Sequence, residues 1–269
     1  MSTAALAPDR LPQDRTEPYE MTGAPGIPLG RLLRVELRKL VDTRSGCWLL
    51  VAIALVTLAV IALTLTYADR DSLSFGLFLG ATTTPQMLLL PVLGILTVTG
   101  EFSQRTGLVT FVQEPRRVRV VLAKLIAASL VGLLAVALAI VLAAVANLIA
   151  ISVRDAPAVW TWSGGAVGGT ALAELLSVWQ GVAFGLVLTS PGAAIAAYFI
   201  VPVVMTIALS TVRWLATVAP WFDQAAASAP LLKGTMTGTD WSHLAVSHGL
   251  WVLLPLLVGT WLLQRREIR

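Results

Sequence analysis

Long apolar runs alternate with short polar breaks along this chain, and the length of the runs decides its class. The runs cover about 47–67, 76–100, 118–153, 170–188, 192–212 and 244–263. At 1.5 Å per residue, about 20 helical residues cross a hydrocarbon core of about 30 Å. The pattern therefore predicts an all-α integral membrane protein with six transmembrane helices. Residues 29–269 form a single six-span domain, and residues 1–28, rich in Pro, Ala and polar groups, read as a disordered cytosolic tail.

The breaks are as informative as the runs. Residues 29–44, LGRLLRVELRKLVDTR, carry Leu29, Leu33, Leu37 and Leu40 on one stripe, widened by Leu32 and Val41. Arg31, Arg34 and Arg38 lie on another face, so the segment predicts a basic amphipathic helix before span one. The segment EFSQRTGLVTFVQEPRRVRVVLAK, 101–124, holds five of the nineteen Lys and Arg residues, more than a simple reversal at a membrane surface needs. Span three, from Pro115 to about Val153, is longer than a bilayer is thick, so its basic first turns project beyond it. Positive charge at a helix start opposes the macrodipole, which points to anionic lipid or an acidic partner there. The segment 213–243 holds Trp214, Trp221 and Trp241 among Pro and Gly breakers, and predicts short external helices that dip into the outer leaflet.

Composition sharpens this picture. The chain is 57% hydrophobic and only 13% charged, with mean hydropathy +0.81. Soluble domains carry about 25% charged residues. The basic balance follows membrane topology and does not indicate nucleic-acid binding. With the N-terminus inside, only Arg70, Arg154, Arg213 and Lys233 of the nineteen basic residues fall outside. Both termini are thereby predicted to be cytosolic, in a multi-pass protein of the cell membrane.

The chemistry that the chain lacks bounds its function. It has no GxxxxGK[ST] phosphate loop and no HExxH, GxSxG or CxxC motif. Cys47 is the single cysteine, and His243 and His248 lie on different helix faces, so no metal site is expected. Polar residues inside spans are few. Span two carries Thr82, Thr83, Thr84, Pro85, Gln86 and Pro91, and span five carries Pro202. Freed backbone groups avoid lipid, so these positions face protein or a substrate path. Glu174 is the acidic residue inside a span, near its outer end. It forms a possible polar site with Ser177 one turn on and with His248 if spans four and six are neighbours.

The layout resembles the type-2 membrane subunits of ABC exporters, permeases with the type V exporter fold. RVELRKLVDTRSG precedes span one, EFSQRTGLVTFVQEPRRVRVVLAK follows span two, and GVAFGLVLTSPGAAIAAYFIVP matches the hairpin of spans four and five. The resemblance implies that the N-terminal amphipathic helix is a connecting helix, with Arg31, Arg34 and Arg38 on it. It implies that Glu101, Phe102, Arg105 and Thr106 start a cytosolic coupling helix docking on an ABC ATP-binding subunit. Here Gly107 follows Thr106, where many relatives have Gly before Thr. The implied assembly has a second copy of the permease or a related one. The substrate path runs between the two membrane subunits, lined by spans two and five. This chain would bind no cofactor; ATP and Mg2+ would sit on the partner subunit. The substrate expected is amphipathic or hydrophobic. The rival reading is a non-transporting sensor or scaffold that uses the same basic surface. A membrane enzyme finds no catalytic constellation.

Overall fold

A computed structural model describes residues 27–103, 114, 116–160, 163–212 and 214–265, and all of its regular elements are helical. The helix α1, Leu29–Asp42, precedes α2, Arg44–Tyr67, and α3, Phe75–Ser103. Next come α4, Arg117–Arg154, α5, Gly164–Leu188, and α6, Pro191–Thr211. Two short helices follow, α7, Ala219–Phe222, and α8, Gln224–Lys233. The last crossing starts as α9, Gly238–His248, widens into a π-helical turn over Gly249–Leu253, and ends as α10, Leu254–Arg265. Six of these units are long and apolar enough to span a membrane, which makes this a multi-pass membrane protein.

Successive spans run in opposite directions, and contacts between their ends fix the two poles of the bundle. Arg154, ending α4, donates to the Leu65 and Thr66 carbonyls that end α2. Arg117, starting α4, donates to the Leu263 carbonyl at the end of α10, and Arg119 donates to the Ile27 carbonyl. One pole therefore gathers α1, the start of α4 and the end of α10. These pairs correct the expected role of the basic turns of span three. Arg117 caps a neighbouring helix, and Arg119 pairs with Glu114 at 2.7 Å, so both are satisfied within the chain. Arg116 stays exposed.

The centre of the bundle is α5, packed against α3, α4, α6, α8 and α10. Close approach needs glycine. A Cβ at Gly94 would stand 2.7 Å from the Val178 carbonyl, and one at Gly181 would strike the Pro91 carbonyl. Thus α3 and α5 run side by side with backbones nearly touching. The helix α3 continues through Pro85 and Pro91 without a break. Thr83 and Thr84 donate to the Leu79 and Gly80 carbonyls, keeping their own hydroxyls satisfied inside the helix. The amphipathic α1 also differs from expectation. Its buried face is Leu32, Glu36 and Leu40, whereas Leu29 and Val41 are exposed.

Two predicted crossings start earlier than their hydropathy suggests. The helix α5 begins at Gly164 and the last crossing at Gly238, because Gly, Ser and Thr turns extend the helix beyond the apolar run. Ser163 and Thr237 cap these starts by accepting from the Ala166 and Asp240 amides.

Candidate functional site

Two polar constellations stand out, one at each pole. At the α1 pole, four charges close into a ring. The Lys39 ammonium lies 2.9 Å from Glu36 and 2.8 Å from Glu101. The Lys124 ammonium lies 2.7 Å from Glu36 and 3.0 Å from Glu101, and donates to the Thr97 carbonyl at 2.9 Å. Glu36, Glu101 and Lys124 are all buried. Signs alternate around the ring, so each charge faces two opposite ones, which is what buried ions require. The ring joins α1 through Glu36 and Lys39, the end of α3 through Glu101, and the start of α4 through Lys124. Burial pulls the Lys39 ammonium down, but the Glu101 and Glu36 carboxylates outweigh it and hold its pKa above the usual lysine value.

The predicted docking residues divide here. Glu101 and Phe102 belong to the last turn of α3, and Glu101 turns inward to the ring. Arg105 and Thr106 lie outside the described residues, as do 104–113. Arg31, Arg34 and Arg38 are exposed on α1, and Arg38 pairs with Asp42 at 2.7 Å. Glu36 and Lys39 escaped sequence reasoning. The signal was present: Glu36 stands at i+4 from Leu32 and i−4 from Leu40, a charge on the apolar stripe.

At the opposite pole, α8 climbs along α5. Leu231 and Gly234 pack on Gly169 and Gly165, while Gln224 at the start of α8 donates to Gln180 at 2.6 Å. A cavity of ≈ 460 Å³ opens between α5, α6 and α8, reaching α3 and α9. A second cleft of ≈ 710 Å³ lies between α3 and the first turns of α5. Met87 and Leu232 line both.

The predicted substrate-path residues separate accordingly. Thr83 and Thr84 line the larger cleft, and Pro202 lines the cavity. Thr82 is fully buried, and its hydroxyl reaches the Leu79 and Ala139 carbonyls, packing α3 on α4. Gln86 is buried, and its Oε1 has no partner among the described residues. Of the possible polar site, Ser177 and His248 line the same cavity. Glu174 packs beside Gly132 of α4, fully buried, with neither carboxylate oxygen hydrogen-bonded among the described residues. Although near the outer end of its apolar run, it lies well inside α5, which starts at Gly164. Among the described residues no cluster suits a metal ion. Neither a protein-family model nor a curated protein sequence matches the chain.

Proposed function

We propose that this chain is the membrane-spanning permease subunit of an ATP-driven exporter, moving an amphipathic or hydrophobic molecule by alternating access. What supports this reading is the four-charge ring. Residues 104–113 leave from the end of α3 and return just before α4, and both of those ends are held to α1 by the same buried ions. A push on that segment is carried to three helices at once. The partner is an ABC ATP-binding subunit that holds ATP and Mg2+, and its closure tilts α3 and α6 from an inward-open to an outward-open state. On this reading the coupling helix is the segment expected from Glu101 to Val112, α7 and α8 are external re-entrant helices, and both termini are cytosolic.

A second copy, or a related permease, completes the path. The helix α6 buries only Ala194 and Leu209 within one chain and leaves Ile200, Val201 and Val204 exposed, so it has a face to share.

The test is co-purification with an ATP-binding subunit and substrate-stimulated ATPase activity in proteoliposomes. Deleting 104–112 while keeping the ring residue Glu101, or reversing charge with Arg105→Glu, is expected to uncouple ATPase stimulation. Variants that leave both assembly and stimulation intact sink the proposal. The exposed Arg31, Arg34 and Arg38 favour the second reading, a scaffold binding a partner or anionic lipid. That reading requires partner binding without substrate-dependent ATP hydrolysis.

A further inference from the structure

The cavity between α5, α6 and α8 has a polar lining that the packing of the bundle leaves unused. Gln180 is 1% exposed, lines the cavity, and among the described residues has no hydrogen-bond partner for its Nε2. Its Oε1 is taken by Gln224 at 2.6 Å. A paired amide uses one of its two ends, so whichever way the two amides are turned, Gln180 keeps an unused polar end. Such a buried group is costly unless a partner reaches it.

His248 supplies the complementary group. Its Nδ1 lies 3.1 Å from the Leu244 carbonyl, an acceptor only, so Nδ1 carries the proton. That leaves Nε2 as an acceptor on a side chain that lines the cavity. Ser177 spends its hydroxyl proton on the Glu174 carbonyl at 2.8 Å and keeps its oxygen lone pairs. Two prolines add to this supply of acceptors. Pro91 and Pro202 remove the i→i−4 amides that would bond the carbonyls of Met87 and Tyr198, both lining residues.

The backbone beside the cavity is also unusual. The π-helical turn Gly249–Leu253 follows His248 directly, and Trp251 donates to the Phe222 carbonyl at 2.8 Å, tying this turn to α7. Inserted π turns often mark functional positions within helices. Thr206 and Ser228 add two hydroxyls to the lining, and the rest of the wall is apolar and aromatic. Tyr198 stacks edge-on against Phe199 with centroids 5.0 Å apart, and Val203 and Ile207 continue that wall.

We infer that this cavity is a binding site, within a single copy of the chain, for an uncharged amphiphile with a hydroxyl head and an apolar body. A hydroxyl accepts from Gln180 and donates to His248, satisfying both ends of the unused pair. Among the described residues no Lys or Arg lines the cavity, so a carboxylate or phosphate head finds no countercharge from them. The volume of ≈ 460 Å³ lies within the range of small-molecule sites. The inference stands on the cavity alone; loss of the exporter reading leaves it intact.

The test uses the full chain in nanodiscs with three photoactivatable diazirine probes of one alkyl chain, headed by an alcohol, a carboxylate or a trimethylammonium group. The alcohol is expected to label peptides from α5, α6 and α8, and Gln180→Leu to lower that labelling roughly tenfold. Val203→Trp changes an exposed residue at the wall, so it blocks labelling without disturbing the buried bundle. Leu134→Trp, 69% exposed on α4 and away from the cavity, is expected to leave it unchanged. Equal labelling by the three heads, or labelling insensitive to both Gln180→Leu and Val203→Trp, overturns the inference. Lipid extraction then separates the sources of the ligand. A resident membrane alcohol co-purifies at fixed ratio, and a passing substrate appears only when added; either supports the site.

Discussion

Glu36 sits on the buried stripe of α1 between two leucines, and it is tolerable there only because Lys39 and Lys124 answer it. Removing one partner from a buried ion set costs far more than replacing the set. Lys124→Met leaves Glu36 and Glu101 facing each other with Lys39 alone between them. It is expected to destabilise the protein by roughly 3–5 kcal/mol. Glu36→Gln combined with Lys124→Gln should cost clearly less, and unfolding in detergent compares the two. Lys39 gives the ring a pH signature. Its pKa is raised in the folded state because Glu101 and Glu36 outweigh burial. Its contribution is therefore complete below the usual lysine range and is lost as pH rises through the higher folded value. The stability gap between the wild type and Lys39→Met is expected to be constant near neutrality and to narrow at alkaline pH. A gap that persists through strongly alkaline conditions would contradict this. The ring was only partly legible in the sequence. Glu101 and Lys124 attract notice in a basic segment, but their partners lie 62 and 88 residues away and no local pattern pairs them.

Elements were more legible than contacts, because a bilayer-length apolar run announces itself without any knowledge of neighbours. All six long helices follow from run length alone. Their ends do not, since Gly, Ser and Trp lower hydropathy while the helix goes on, as at Gly164 and Gly238. The helix α3 also runs on through its two prolines. A proline removes one amide, but in a tightly packed bundle the helix has no better conformation available and passes through. What the sequence hides is why α3 and α5 can lie so close, a matter of Gly94 and Gly181 facing each other's backbones. Gly94→Leu or Gly181→Leu must push these helices apart and is expected to destabilise by at least the roughly 1–3 kcal/mol of overpacked cores. Gly80→Leu, with nothing within 4 Å of its added Cβ, is the control and should be close to neutral. Thermal unfolding followed by size-exclusion chromatography reads all three. If Gly80→Leu proved as damaging as the other two, close backbone approach would not be the reason.

At the scale of the molecule, the two polar constellations lie at opposite poles, and the orientation in the membrane decides what each can meet. The ring and the exposed arginines of α1 share a pole with the start of α4, while the hydroxyl-lined cleft and the cavity open toward the other. An exporter needs the first pole in the cytosol, where ATP is, and the second toward the outside, where cargo leaves. Charge supports that orientation: among the described residues, three of thirteen basic side chains, Arg70, Arg154 and Lys233, lie on the cavity side. Because Cys47 is the single cysteine, Cys47→Ser gives a clean background for testing it. In that background Asp71→Cys and Thr239→Cys, both exposed at the cavity pole, should react with an impermeant maleimide on intact cells. Ser45→Cys, exposed at the α1 pole, should react only after permeabilisation. The reverse pattern would place 104–113 outside, out of reach of any ATP-binding subunit, and the exporter proposal would fail while the cavity and the ring kept their chemistry.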